Sequence, residues 1–153
     1  MKQYIKALEH ILEKGKQRDD RTGVGTKGVF GYQMRFDLRN SFPAVTTKKL
    51  AWKSVVSELL WLLEGSTDER RLAEIHFGKP REEIADKKTI WTANANKQGV
   101  ELGYLNSETQ KELGPIYGKQ WRSLGKDFGG EDQIKKIILD LKNNTNSRIP
   151  VSY

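Results

Sequence analysis

The run from Trp52 to Leu63 constrains the fold most strongly, because a helix drawn through it is apolar on nearly every side. One stripe carries Trp52, Val55, Val56, Leu59, Leu60 and Leu63, while Trp61 and Leu62 make much of the opposite side apolar. A helix that is apolar all round is usually buried. Since 153 residues have the size of one ordinary domain, the run predicts a buried helix within a single core spanning residues 1–153.

Glu58 is the one acidic side chain inside this apolar run. Its helical neighbours are Val55, Trp61 and Leu62, so we expect the carboxylate to be at least partly desolvated. It then needs either a hydrogen-bonding partner or a chemical role. A general acid or base and a structural carboxylate are equally compatible with this pattern.

The first fifty residues predict one helix and one strand. Apolar residues at helical spacing predict an amphipathic surface helix that stops at Gly15. Strict alternation of apolar and polar residues from Val29 to Arg39 is typical of a strand. A short β-prone segment, Ala44 to Thr47, follows Pro43.

Beyond the apolar helix, Ser66 with Glu69 three residues later reads as a capping box that starts a helix through about His76. The remaining pattern predicts a surface insertion, a polar loop, a last helix and the start of a strand, at 76–88, Thr92 to Glu112, Glu131 to Lys142 and Arg148 to Tyr153.

Composition narrows the function classes. The excess of 27 Lys and Arg over 20 Asp and Glu, a net charge of +7, favours anionic partners: nucleotides, polyanionic cofactors or nucleic acid. Cysteine is absent, which excludes disulfides, thiolate metal sites and a cysteine nucleophile within these residues. His10 and His76 fall on separate predicted helices, which disfavours a zinc site. No long apolar run or signal-like segment is present, so we expect a cytoplasmic protein without a membrane span.

Several local motifs leave two interpretations open. Arg21, in the glycine-containing turn from Asp19 to Thr26, could grip a phosphate or lie in an ordinary connecting loop. Lys48 could attract an anion or remain a solvated charge. The aromatic residues Tyr117 and Trp121 could stack a flat ring or fill a core.

Taken together, four motifs occur in the order found in thymidylate synthases: 20–26 (DRTGVGT), 42–48 (FPAVTTK), 58–61 (ELLW) and 114–122 (GPIYGKQWR). The chain resembles this family from Met1 to about Arg148. The resemblance implies an α+β fold with a mixed sheet and flanking helices, truncated before the C-terminal strands. It also implies a homodimer that methylates dUMP to dTMP, with methylenetetrahydrofolate giving the carbon and the hydride; related hydroxymethylases share the fold.

Residue roles follow from the same resemblance. On the nucleotide side, Arg21 looks like the phosphate-gripping arginine and Arg148 like an arginine that reaches the phosphate across the dimer. Glu58 looks like the carboxylate that orders water and assists proton transfers, and Tyr117 like the tyrosine near the nucleophile. The folate side would be lined by Lys48, Ile90 and Trp91.

The departures from the family's pattern bear on activity. An acidic residue usually follows the position of Trp91, where this chain has Thr92; a paired arginine is here the single Arg148; and Pro150 removes a backbone donor from the expected strand. The family attacks the pyrimidine with a cysteine, and these residues contain none. We therefore expect no turnover without a C-terminal part or complementing chain that carries the cysteine. The alternative is a non-catalytic module that binds a nucleotide, nucleic acid or a synthase subunit.

Overall fold

The chain divides into two units, residues 1–50 and residues from Ala51 onward. A computed structural model describes residues 1–21, 23–125 and 130–143, so the strand expected at Arg148 to Tyr153, with Pro150, lies outside the described residues. The single-domain organisation expected for 1–153 stays a prediction.

The first unit holds one helix and one short hairpin: α1 (Lys2–Lys14), β1 (Lys16–Arg18) and β2 (Thr26–Gly28). The predicted helix is confirmed, and it ends where the Gly15 N–H donates to the Ile11 carbonyl oxygen at 2.8 Å in an extended conformation. The two strands pair antiparallel, with Lys16 opposite Gly28 and Arg18 opposite Thr26. Among the described residues of this unit, Ala7 alone is buried.

The strand predicted from Val29 to Arg39 is wrong, because this segment carries no strand in the structure. A strand needs a neighbour to satisfy its backbone N–H and C=O groups, and no described segment pairs with this one. Several of its apolar side chains are consequently exposed to solvent: Phe30 is fully exposed and Leu38 is 67% exposed. The alternating sequence is suited to a strand, but the described residues contain no neighbouring strand with which it could pair.

The second unit is helical. Its elements are α2 (Trp52–Leu63), α3 (Glu69–Phe77), a 3₁₀ turn (Arg81–Ile84), α4 (Thr92–Asn94), a π-helical turn (Ala95–Gly99), α5 (Tyr117–Ser123) and α6 (Gln133–Asn143). The predicted α2, α3 and last helix are confirmed, and with the hairpin they agree with the predicted α+β class. The polar loop expected from residue 92 is wrong in its first part, which is helical.

The core of the second unit is small and aromatic. Trp61, Leu72, Ala95 and Leu113 form its buried cluster, with partly buried Leu62, Ile75, Trp91 and Ile116 packed against it. The Trp61 indole N–H donates to the Asp68 carbonyl oxygen at 3.0 Å, which satisfies its one polar group. This bond ties α2 to the start of α3.

The expectation that α2 is buried is wrong for most of the helix. Of its residues only Ser57 and Trp61 are buried. The apolar stripe that suggested burial is about half exposed: Trp52, Val55, Val56, Leu59 and Leu60. Helices α3 and α5 pack against α2, but about half of the surface of its apolar stripe stays exposed to solvent.

The start of α3 is a structural joint centred on Asp68. The predicted capping box is wrong, since Asp68 rather than Ser66 is the N-cap, and its Oδ1 accepts the Arg70 N–H at 3.0 Å. The same oxygen accepts the Lys111 N–H at 3.0 Å, and Oδ2 binds the Arg81 guanidinium at 2.7 Å. One side chain thus joins the helix start, the 3₁₀ turn and the chain near residue 111.

Ion pairs extend from this joint along the outer side of α3. Arg81 contacts Glu74 at 2.9 Å, and Arg71 contacts Glu64 at 2.8 Å. The hydrogen bond from Arg81 lowers the pKa of the Glu74 carboxyl below its ordinary value of 4.5. The hydrogen bond from Arg71 likewise lowers the pKa of Glu64. These carboxylates are therefore more firmly ionised in the folded chain.

The segment 76–88 has both a surface side and a buried side. Lys79 and Glu83 form an exposed ion pair at 3.2 Å, whereas Ile84 is almost fully buried. Its interpretation as an insertion stays a prediction, but the segment contributes an apolar side chain to the interior.

Candidate active site

The most specific polar contact of the second unit joins Glu58 to Trp91. The Trp91 indole N–H donates to Glu58 Oε1 at 2.6 Å, although the two residues lie 33 positions apart. Both side chains are half-buried, so the carboxylate has the partner that its apolar surroundings require. The other oxygen, Oε2, accepts no hydrogen bond from another described residue.

Aromatic rings surround Trp91 on two sides. Its ring centroid lies 5.8 Å from that of the buried Trp61 and 6.2 Å from that of Tyr117, with tilted and edge-on geometries. Tyr117 is the first residue of α5 and is 46% exposed, so its ring forms the outer end of this row. The row fixes the indole plane by packing as well as by the bond to Glu58.

Gly118 allows α5 to reach this position. A Cβ built on Gly118 would lie 2.7 Å from the Leu62 carbonyl oxygen and 3.0 Å from the Leu62 Cα. Because only a glycine fits so close to the backbone of α2, the motif at 114–122 places Tyr117 beside Trp91.

A cavity of about 390 Å³ opens beside Glu58, within the size range of small-molecule sites. It is lined by Ala51, Ser54, Val55, Glu58, Leu72, His76, Lys88, Thr89 and Ile90. The walls are mainly apolar with a few polar groups, which suits a flat organic ligand that carries some hydrogen-bonding atoms. A carboxylate there can accept a proton from such a ligand or hold a water against it.

Sequence reasoning assigned no role to His76, which lies on the wall of this cavity. Its Nδ1 lies 3.4 Å from the Ser57 hydroxyl oxygen, and its ring meets the Phe77 ring edge-on at 4.7 Å. Its position in the last turn of α3 was predictable, but its approach to α2 depends on tertiary packing.

The first unit carries the remaining candidates, and they are described within that unit alone. Arg21 is exposed in the turn between β1 and β2, and no described residue forms an ion pair or hydrogen bond with its guanidinium. The turn is shaped by Asp20, whose Oδ1 accepts the Gly25 N–H at 3.2 Å. Lys48 is exposed as well, and Arg148 lies outside the described residues.

The structure therefore brings four of the candidates together within the second unit; Arg21 and Lys48 belong to the first unit, and Arg148 lies outside the described residues. Glu58, Ile90, Trp91 and Tyr117 form one cluster in the second unit. Their functional roles stay predictions, because proximity alone does not assign chemistry.

The described part of the chain holds neither a candidate metal site nor a candidate membrane-spanning helix. No group of three or more acidic or histidine side chains could hold a metal ion there. Within residues 1–21, 23–125 and 130–143, no helix has the length and apolarity needed to cross a membrane.

Comparisons with known proteins give one consistent family. A family model described as thymidylate synthase matches residues 2–152. A probable thymidylate synthase of Escherichia phage T5 is 49% identical over 148 residues, which are 97% of this chain and 49% of that protein. The thymidylate synthase of Enterobacteria phage T4 is 47% identical over 148 residues, 97% of this chain and 48% of its own length. The crystal structure of thymidylate synthase from T4 phage aligns with a TM-score of 0.78 over 97% of this chain and 48% of that chain. The chain thus spans about half the length of the relatives it matches.

Proposed function

This chain belongs to the thymidylate synthase family, and we propose that it takes part in the methylation of dUMP to dTMP with methylenetetrahydrofolate as co-substrate. The observation that carries the proposal is the Glu58 carboxylate, held by the Trp91 indole at 2.6 Å beside a largely apolar cavity. An aligned carboxylate at an apolar wall is what proton transfer to a bound heterocycle requires.

The residues on the folate side fit the co-substrate by their chemistry. When bound, the folate supplies the one-carbon unit and the hydride. Ile90 offers an apolar side chain at the cavity, and Trp91 offers an aromatic ring beside Glu58; both suit contact with a flat ring. Glu58 holds a proton or a water at its carboxylate, and Tyr117 extends the aromatic row. Lys48, an exposed cation, suits the anionic tail of a folate.

Arg21 is proposed to bind the phosphate of dUMP. A planar guanidinium can donate two parallel hydrogen bonds to phosphate oxygens, and Arg21 is exposed without a competing carboxylate among the described residues. Arg148 is proposed as a second phosphate ligand, supplied across a homodimer.

The nucleophile has to come from outside these 153 residues, since they contain no cysteine. We therefore propose that turnover requires a cysteine-bearing segment in the same protein or in a complementing chain. A cytoplasmic location is part of the same proposal.

Nucleotide binding is tested by calorimetric titration of the chain with dUMP. We expect binding that Arg21→Ala abolishes, while Arg35→Ala, which removes an equal charge from another exposed position of the first unit, leaves it intact. Equal loss in both variants would reduce the effect to general charge attraction and contradict the assignment of Arg21.

Turnover is tested by adding a C-terminal thymidylate synthase segment that carries the cysteine and measuring dTMP. We expect dTMP only when both parts are present, and about a 100-fold or greater loss in Glu58→Gln, the usual scale for removing a general acid or base. Formation of dTMP by this chain alone would refute the requirement for an external cysteine.

A non-catalytic binding role is the second candidate, favoured by the net charge of +7. Binding to nucleic acid would fall steeply with salt, as phosphate-backbone contacts do, whereas pairing with a synthase subunit would be nearly insensitive to salt. A chain that shifts neither nucleic acid nor a synthase subunit removes this candidate.

A further inference from the structure

The first turn of α3 contains a buried ion pair with no assigned purpose. Glu69 and Arg70 are both fully buried, and the Arg70 guanidinium contacts the Glu69 carboxylate through Nε at 2.7 Å and Nη2 at 2.8 Å. Consecutive residues on a helix do not normally face each other. Burying two charges is also costly unless every polar atom finds a partner. The partners therefore indicate what the pair is for.

Arg70 forms hydrogen bonds with backbone carbonyl groups in the segment that follows α3. Its Nη1 donates to the Ile84 carbonyl oxygen at 3.2 Å, and its Nη2 donates to the Lys87 carbonyl oxygen at 3.1 Å. These carbonyls close the 3₁₀ turn and the chain leading to Thr89. One side chain thus fixes the backbone just before the candidate site.

Glu69 binds side-chain hydroxyl groups that lie a few residues further along the chain. Its Oε1 accepts hydrogen bonds from the Thr89 and Thr92 hydroxyls, each at 2.6 Å. Because each hydroxyl has a single proton, both can only accept from their remaining neighbours. Thr89 Oγ1 accepts the Trp91 N–H at 3.2 Å, and Thr92 Oγ1 accepts the Thr89 N–H at 2.8 Å.

These bonds form a continuous path from the ion pair to the candidate general acid or base. The two threonines enclose Ile90 and Trp91, and Trp91 in turn donates to Glu58. We propose that Glu69 and Arg70, acting through Thr89 and Thr92, are positioning residues that set the direction in which the Trp91 indole N–H meets Glu58. The role of Glu58 rests on the proposed function; the positioning of Trp91 does not.

The residue type at position 92 fits this arrangement. An acidic side chain at 92 would set a second carboxylate against Glu69 Oε1. A threonine donates to that oxygen instead. In this chain the carboxylate near position 92 is supplied by α3, and the hydroxyl is its matching donor.

The test follows the indole N–H signals of the full chain by nuclear magnetic resonance, with the Trp91 signal identified by its loss in Trp91→Phe. We expect Thr92→Val to speed hydrogen exchange at the Trp91 indole about tenfold, the value of one lost hydrogen bond. The buried Trp61 indole is the internal control for folding and should exchange as before. Thr92→Ser, which keeps the donor, should restore slow exchange at Trp91.

Two results would overturn the proposal: unchanged exchange at Trp91 in Thr92→Val, or equal acceleration at Trp61 and Trp91, which is general loosening of the core. If Thr92→Val does not fold, Thr89→Val replaces it, since it removes the other hydroxyl that donates to Glu69 Oε1 and leaves the ion pair intact; the same two results decide. No dUMP, folate or turnover is needed. Faster Trp91 exchange in Thr92→Val, in a chain that fails to bind dUMP, would therefore contradict the proposed function and leave the positioning role intact.

Discussion

Residues 1–50 and the residues from Ala51 onward differ in how well they bury their apolar side chains. In the second unit, apolar side chains meet in a buried cluster, and even a charged pair is enclosed with its hydrogen bonds satisfied. In the first, the one buried residue among those described is Ala7, while Phe30, Leu38 and Phe42 are exposed. Both units resemble the same family, so family resemblance in sequence does not by itself imply a self-sufficient core.

The largest loss of stability is expected when the buried ion pair of the second unit is broken. Arg70→Met should destabilise the second unit by about 3–5 kcal/mol, because it leaves the Glu69 carboxylate buried without its counter-ion. Hydrogen-exchange mass spectrometry, read separately for peptides of the two units, measures the loss.

The matched control is Arg39→Met in the first unit, whose ion pair with Asp37 is exposed to solvent. It should leave exchange unchanged, as exposed ion pairs contribute little. A similar effect for Arg39 and Arg70 would remove the distinction between the units.

The next largest loss of stability is expected from a substitution that creates a cavity in the apolar cluster. Leu72→Ala should cost about 2–5 kcal/mol of unfolding free energy, since Leu72 is 3% exposed and packed in the core. Leu12→Ala deletes the same atoms from a side chain that is 66% exposed in α1, and should cost far less. Urea unfolding of both variants compares them; equal losses would mean that α1 is packed as firmly as α3.

A smaller effect is expected where α5 approaches α2. Gly118→Ala would force a methyl group against the Leu62 backbone and should destabilise the second unit by about 1–3 kcal/mol. Gly31→Ala meets nothing within 4 Å, so it should be tolerated. Thermal unfolding monitored by tryptophan fluorescence tests the pair, and an unaffected Gly118→Ala chain would show that the two helices can move apart without loss.

The smallest expected effect is a loss of folding stability as the pH falls. The folded-state pKa of Glu74 is lowered by Arg81, so this pair stabilises the fold above pH 4.5 and loses its contribution as the pH falls through the folded-state pKa. We expect about 1 kcal/mol or less, because the pair is partly exposed. Glu74→Gln should flatten the acid dependence measured by urea unfolding at stepped pH; an unchanged slope would assign the acid sensitivity to other carboxylates.

Three helices, α1, α2 and α6, could be predicted from sequence because the spacing of apolar residues is a local signal, and Gly15 marked the end of α1. The partner of Glu58 could not be identified, since Trp91 lies 33 residues away and reaches it only after α3 and the 3₁₀ turn have packed. The burial of Arg70 escaped prediction for the same reason: arginines are rarely buried, and its acceptors are distant backbone carbonyls.

The two failures on apolar segments have one physical origin. Alternation at 29–39 was interpreted as a strand, and the all-round apolar surface of α2 was interpreted as burial. A pattern states what a segment can pack against and not whether that partner is present. Phe30 and Leu59 remain exposed for want of such a partner among the described residues.

The joint at Asp68 has a kinetic consequence. Its bond to the Lys111 N–H closes a loop of 43 residues, and the chain entropy lost in such a closure is on the order of 3 kcal/mol. A single hydrogen bond contributes about 1 kcal/mol and cannot offset that loss. Two backbone bonds cross the same loop beside it: the Glu69 N–H donates to the Lys111 carbonyl oxygen at 2.8 Å, and the Leu113 N–H donates to the Thr67 carbonyl oxygen at 3.0 Å. The three bonds together are needed to offset the loss. We therefore expect the residues near 68 and near 111 to become ordered in the same step of folding.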